Sequence, residues 1–147
     1  AGSLGVLWNR EYVKNALGYH HGEHRPNGMI LSYPVITSGE FAHRNSFKNL
    51  LMDTYTEERL LETSLEKQVS ADTVPAFIWH TYTDDCVPVE NSLLFASALK
   101  AHNIPLELHI FPEGHHGLSL VTPEVGGGPA EAAAWVDMAI RWMRHPH

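Results

Sequence analysis

The 147-residue chain carries a formal net charge of −7, and 44% of its residues are hydrophobic and 18% charged. This length and composition indicate one globular domain with its own core and exclude a disordered or fibrous chain. The acidic balance argues against a nucleic-acid partner, and the sequence has no apolar run long enough to cross a membrane. With a single cysteine and no leader segment, we expect no internal disulfide and a cytoplasmic protein.

Residues 1–8 are small and apolar, which favours a helix end packed closely on a sheet. They contain Ala-Gly-Ser-Leu-Gly, a variant of the turn that carries a nucleophilic serine between a strand and a helix. Such a turn needs a strand in front of it, and none precedes Ala1. We therefore favour packing over a nucleophilic role for Ser3.

Residues 9–18 predict a short helix that ends at Gly18, and a histidine-rich segment follows it. In that segment His20, Glu23 and His24 have the order of a zinc-protease motif, but the motif needs a helix that places both histidines on one face. The surrounding glycines and proline predict a loop instead. We expect a solvated loop and no metal ion there.

Residues 29–37 predict a strand that ends near Tyr33, because Pro34 cannot continue it. We expect residues 28–55 and 56–72 to form a lid-like excursion with helices, one capped by Ser46 and another running from residue 56 to 69. Tyr33, Phe41 and Phe47 are candidates for the wall of a binding pocket. Plain packing explains these three aromatic residues equally well.

Residues 75–120 predict a strand, a helix and a second strand, which together form a right-handed βαβ unit. The strands cover residues 76–81 and 106–111, and Pro88 suits the first turn of the helix between them. The predicted inward face of that helix consists of Val89, Leu93, Ala96 and Leu99. A terminal helix is expected within residues 129–145.

Acidic residues and histidines follow the two strands of this unit. Asp84 and Asp85 come after the first strand, and His115 and His116 come after the second. Because the carboxyl ends of parallel strands share one edge of a sheet, a carboxylate and an imidazole should meet there. In that arrangement an aspartate orients a histidine that acts as a general base.

Three phrases carry a resemblance to a known family: SYPVITSGEFAHRNSFKNLL, HTYTDDCVPVENSLLFASAL and FPEGHHGL. They resemble the acetyl-esterase and xylan-esterase-like serine hydrolases of the α/β-hydrolase superfamily. The resemblance implies a partial α/β-hydrolase fold with about three parallel strands flanked by helices. It also implies that Asp84 is the acid and His116 the base of a catalytic triad, with Asp85 and His115 as their neighbours, and that no cofactor is needed.

The superfamily places its serine in a G-x-S-x-G turn before the aspartate and the histidine, and this sequence has no such turn. The resemblance therefore implies a carboxy-terminal part whose nucleophile and oxyanion-hole loop precede residue 1. We expect little activity from the chain alone, and self-association or pairing with the missing amino-terminal half. Cys86 is not on a strand–helix turn, so we expect a packed or half-buried thiol there rather than a nucleophile.

The resemblance implies hydrolysis of a small acyl ester or an acetylated sugar. Two alternatives stay open. One is the peptidase branch of the same fold, and the other is a non-catalytic module that acts in binding or assembly.

Overall fold

The computed structural model of the chain describes residues 1–145. Three parallel strands form its sheet, namely β1 (Met29–Ser32), β2 (Ala76–Thr81) and β3 (Leu106–Phe111). Their order is β1-β2-β3, so β2 lies in the centre. The predicted strands and their parallel arrangement are confirmed, and β1 ends before Tyr33 as expected.

Helices surround this sheet. In chain order they are α1 (Gly2–Leu7), α2 (Glu11–Leu17), α3 (Arg44–Leu51), α4 (Glu57–Thr63), α5 (Glu90–Ala101), α6 (Ala130–Ala133) and α7 (Trp135–Met143). Short 3-10 turns occur at Met52–Thr54, Leu65–Lys67 and Pro123–Val125. Within the described part of the chain, no helix is long and apolar enough to span a membrane.

The central strand β2 is buried along its whole length and supports a core on each face of the sheet. Successive side chains of a strand point to opposite faces. On one face Ala76 and Ile78 join a cluster with α5, and on the other Phe77 and Trp79 join a cluster with α7. This two-sided burial explains the continuous apolar run of β2.

The inward face of α5 differs from the predicted one by a small rotation of the helix. Leu93 is 44% exposed, whereas Ser92, Phe95, Ala96 and Leu99 are buried. Phe95 fills the space against β2 that the prediction gave to Leu93. The deviation matters for the site, because it turns the hydroxyl of Ser92 toward the sheet.

The prediction of one continuous helix over residues 56–69 is wrong at its centre, because α4 ends before Ser64 and a 3-10 turn follows. The Ser64 hydroxyl accepts a hydrogen bond from the Ser38 N–H at 2.8 Å, and the Leu65 N–H donates to the Ile36 carbonyl at 3.0 Å. These bonds to the segment after β1 replace the helical ones. The terminal helix is likewise divided, with Ala134 between α6 and α7.

Ser46 does not cap α3 as predicted, since it lies inside that helix and bonds the ring of His43 at 2.9 Å. Ser3 lies exposed within α1 rather than on a strand–helix turn. In the same helix, a Cβ added to Gly5 would lie 2.7 Å from the sulfur of Met29. The small residues of α1 therefore allow close packing on the sheet, as the sequence predicted.

The loop after β3 returns to the end of β2 at Gly114. This glycine has φ of 144°, and a Cβ there would lie 2.7 Å from Leu118 Cδ1 and 2.8 Å from Thr81 Cγ2. The close approach and the positive φ both require glycine.

We predict that Gly114→Ala lowers the free energy of unfolding by about 1–3 kcal/mol, because the methyl group overpacks the loop against the sheet. Urea unfolding followed by circular dichroism measures it. Gly127→Ala is the matched control: its φ of 68° is also positive, but nothing lies within 4 Å of the added Cβ. Equal losses in the two variants would contradict the packing argument.

Candidate active site

Asp84 lies in the turn that follows β2, and its carboxylate is fully buried. Its Oδ1 accepts hydrogen bonds from the backbone N–H groups of Cys86 and Val87, both at 2.9 Å. The turn thus folds around the carboxylate. A buried carboxylate needs such donors, because desolvation is costly for an unpaired charge.

His116 lies in the loop after β3, two residues beyond Gly114. Two threonines at the end of β2 hold this loop: Thr81 Oγ1 donates to the Gly114 carbonyl at 2.8 Å, and Thr83 Oγ1 accepts from the Gly114 N–H at 3.0 Å. The His116 side chain is 31% exposed. Neighbouring parallel strands thus bring the two predicted residues to the same edge.

Nδ1 of His116 lies 2.7 Å from Oδ2 of Asp84, so the predicted contact is present. The carboxylate is an acceptor, which assigns a proton to Nδ1 and leaves the lone pair on Nε2. Among residues 1–145, Nε2 of His116 has no hydrogen-bond partner. The ring therefore offers a free basic nitrogen on the side away from Asp84.

The adjacent acidic residue and histidine do not form this contact. Asp85 is exposed, and His115 bonds the carbonyls of His116 and Gly127 at 2.7 and 3.3 Å. The geometry therefore selects Asp84 and His116 from the two neighbouring pairs.

Asp84 is held in its ionised form. Burial alone would raise the pKa of this carboxyl, but hydrogen bonds from the Val87 N–H, His116 and the Cys86 N–H outweigh it and lower the pKa. The negative charge that faces Nδ1 of His116 is thus retained.

His80 was not predicted from the sequence as a site residue, and its side chain is fully buried next to Asp84. Its Nε2 lies 2.9 Å from the Val87 carbonyl and 3.2 Å from Asp84 Oδ2, and its Nδ1 lies 2.8 Å from the Ser92 hydroxyl. Burial lowers the pKa of His80, and the nearby Val87 carbonyl and Asp84 only partly oppose this. The sequence signal for His80 is a titratable residue inside an otherwise largely apolar strand, four positions before Asp84.

Tyr33 contacts His116 directly. Its ring meets His116 edge-on with centroids 4.8 Å apart and meets Trp79 at 5.0 Å. Its hydroxyl accepts a hydrogen bond from the Ser119 N–H at 3.1 Å. Tyr33 therefore limits the movement of the His116 ring.

The other two predicted pocket aromatics lie on the excursion after β1. Phe47 is buried with Leu51 and Leu60 in a small cluster. Phe41 is partly buried, and its carbonyl accepts a hydrogen bond from Asn91 Nδ2 at 2.9 Å. A pocket-wall role for both residues stays a prediction.

The histidine-rich segment is a loop, as predicted. His24 bonds the Trp8 carbonyl at 2.6 Å and stacks on Tyr19, and no set of three metal-binding side chains occurs within residues 1–145. Cys86 is exposed rather than packed or half-buried, and its sulfur lies 3.8 Å from Nε2 of His43.

A groove of about 1160 Å³ occurs at the other end of the strands. Gly28, Pro75 and Pro105, which precede the three strands, contribute to its lining, as do His102 and Trp142. The groove contains neither Asp84 nor His116. It is therefore separate from the candidate site.

A buried carboxylate that holds an imidazole with one nitrogen free has the geometry of the acid–base part of a nucleophilic hydrolase site, and a parallel sheet that presents it at its carboxyl edge is an α/β-hydrolase arrangement. A sequence profile of the prolyl oligopeptidase family matches residues 37–144. The chain belongs to this family of α/β-hydrolases.

Individual relatives agree with this assignment. The chain is 51% identical over 127 residues to endo-1,4-beta-xylanase B of Butyrivibrio fibrisolvens, which covers 86% of this chain and 20% of that protein. It is 35% identical over 105 residues to an acetylxylan esterase of Xylanibacter ruminicola, which covers 68% and 22%. The chain thus spans about a fifth of the length of these curated relatives.

A solved structure is also similar to the fold. The acetyl ester-xyloside bifunctional hydrolase from Caldicellulosiruptor lactoaceticus superposes with a TM-score of 0.74 and 44% sequence identity. The match covers 81% of this chain and 42% of that one.

Because His80 is buried, we predict that the free energy of unfolding falls in acid. Its pKa is lower in the folded chain than the unfolded value of 6.5, so the unfolded state binds the proton more readily. The stabilising contribution is complete above that value and is lost as the pH falls toward the folded-state pKa. We expect His80→Gln to lose less stability than the wild type between about pH 7.5 and about pH 5.5 in urea unfolding.

The control for this prediction is His102→Gln, which replaces an exposed histidine and should retain the wild-type loss. If His80→Gln loses as much stability as the wild type over the same range, His80 is not the buried neutral group described above.

Proposed function

We propose that this chain supplies the acid and the base of a Ser-His-Asp triad in a carboxylic-ester hydrolase of the acetyl-esterase type. The observation that carries the proposal is the 2.7 Å contact between His116 Nδ1 and the buried Asp84 Oδ2, with Nε2 of His116 open. The substrate class we propose is a small acyl ester or an acetylated sugar. Its support is the names of the acetylxylan esterase and the acetyl ester-xyloside hydrolase that the chain resembles.

In the proposed reaction, Nε2 of His116 takes the proton of a serine hydroxyl while the serine oxygen attacks the acyl carbon. Asp84 stabilises the imidazolium that forms, and the proton then passes to the departing alcohol. Water, deprotonated by the same nitrogen, cleaves the acyl-enzyme and releases the carboxylic acid and the serine. The serine of this proposal lies outside residues 1–147.

We also propose that Tyr33, Phe41 and Phe47 line the pocket that binds the acyl group. Tyr33 has the strongest support, since its ring is 4.8 Å from that of His116. Phe47 would act indirectly, because it is buried and packs against its own cluster.

We predict that the chain alone hydrolyses p-nitrophenyl acetate no better than its His116→Ala variant, because loss of a nucleophile costs on the order of a millionfold in turnover. We expect activity when the chain is joined to the part of the Caldicellulosiruptor hydrolase that it does not match. In this hybrid enzyme, Asp84→Asn should reduce turnover about 10⁴-fold.

His115→Ala is the matched control in the hybrid enzyme, because His115 does not contact Asp84, and it should remain active. Fluorophosphonate labelling should likewise occur in the hybrid and not in the chain alone. Turnover by the chain alone that His116→Ala abolishes would show that it holds a nucleophile. An active hybrid that tolerates both Asp84→Asn and His116→Ala would refute the proposed roles.

A peptidase is the second candidate function, and the matched family favours it, since that family takes its name from prolyl oligopeptidase. The catalytic chemistry would be the same, with an amine as the leaving group. Comparison of p-nitrophenyl acetate with an acylated amino-acid p-nitroanilide in the hybrid distinguishes the two. Faster turnover of the anilide would favour the peptidase.

We also propose that the open edge of β1 pairs with another chain segment. Among the described residues β1 is paired only with β2, and an unpaired strand edge favours association. We expect the chain alone to self-associate in size-exclusion chromatography with light scattering, and the hybrid to be monomeric. A chain that stays monomeric at all concentrations would contradict this proposal.

A further inference from the structure

We infer that His80 is a positioning residue of the candidate site. Its Nε2 lies 3.2 Å from the second oxygen of Asp84, and this polar contact helps hold the carboxylate that determines which nitrogen of His116 carries the proton. The inference rests on the proposed function, since it concerns the same acid–base pair.

The hydrogen bonds of His80 determine its tautomer. The two atoms near Nε2 are the Val87 carbonyl oxygen at 2.9 Å and Asp84 Oδ2 at 3.2 Å, and both are acceptors. Nε2 must therefore carry a proton, which is hydrogen-bonded to the Val87 carbonyl and also lies near the Asp84 carboxylate. Because the buried ring is neutral, Nδ1 is an acceptor, and the Ser92 hydroxyl donates to it at 2.8 Å.

The two oxygens of Asp84 are held differently. Oδ1 has two backbone donors, the N–H groups of Cys86 and Val87. Two side chains approach Oδ2: Nε2 of His80 lies at 3.2 Å and Nδ1 of His116 at 2.7 Å. Without His80, Oδ2 would keep only one side-chain partner, His116, whose side chain is 31% exposed.

His80 is suited to this task because rigid elements hold it. It belongs to the central strand β2, is 0% exposed, and bonds through Ser92 to the first turn of α5. The packing of α5 on the sheet therefore fixes the ring, and the ring fixes the carboxylate. Sites built on strands and helices keep their geometry better than sites built on loops alone.

The test is ¹⁵N NMR of the ring nitrogens of His116 in the chain itself, at a pH where the ring is neutral. The His116→Gln variant identifies the signals by removing them. The wild type should show the form protonated at Nδ1, because Asp84 accepts from that nitrogen. Asp84→Asn should lose this form in favour of the one protonated at Nε2.

The comparison of two His80 variants separates positioning from packing. His80→Asn keeps a polar atom near Ser92 but cannot reach Asp84, and we expect it to lose the Nδ1-protonated form as the dominant species. His80→Gln extends an N–H donor toward Asp84 and should keep that form. A residue that only fills space would change the unfolding midpoint in both variants and leave the tautomer of His116 unchanged.

Each outcome bears on the inference. Retention of the Nδ1-protonated form in His80→Asn, with its loss in Asp84→Asn, overturns the role of His80 and leaves the proposed function intact. Retention in Asp84→Asn as well would count against the acid–base pair itself. If His80→Asn does not fold, Ser92→Ala decides, since it frees the His80 ring and should give a mixture of tautomers. An unchanged spectrum in Ser92→Ala would then overturn the inference.

Discussion

The structure of the site depends on how the protein stabilises one buried charge, the carboxylate of Asp84. A carboxylate removed from water is stable only when hydrogen bonds replace its hydration. Here the backbone N–H groups of Cys86 and Val87 donate to one oxygen and His116 is hydrogen-bonded to the other, with Nε2 of His80 3.2 Å away. These polar groups come from a strand, from the turn after it and from the loop of the next strand, so the carboxylate joins these three elements.

The sheet explains how these donors meet. Parallel neighbours β2 and β3 end at the same edge, and the glycine at position 114 lets the second loop approach the first closely. The result is a histidine whose one nitrogen faces a fixed negative charge while the other is open. This asymmetry is what general-base chemistry needs, because the ring must accept a proton on one side and be stabilised on the other. The sheet of the family's fold thus places the two residues on which the proposed chemistry depends.

The sequence predicted the parts that depend on periodicity and on strand topology. The three strands and the end of β1 near Tyr33 follow from apolar runs and turn residues, and the strand order predicts that a carboxylate and an imidazole meet at one edge. The resemblance to the α/β-hydrolases identified Asp84 and His116 among the neighbouring acidic residues and histidines. The orientation of α5 was not predictable this way, because both Leu93 and Phe95 lie on plausible apolar stripes and only packing against β2 chooses between them. The break at Ser64 depends on bonds to Ser38, which is distant in sequence. His80 was missed for the same reason: its partner Ser92 becomes visible only once α5 is docked on the sheet.

The most direct measurement of the central claim is a double-variant cycle in the hybrid enzyme, with kcat/KM determined for Asp84→Asn, His116→Ala and the combination. Residues that act as one unit have strongly non-additive effects. The account predicts that the double variant is no slower than His116→Ala alone, because Asp84 acts only through that ring. Losses that multiply in the double variant would contradict it, since they would mean that the two side chains contribute independently.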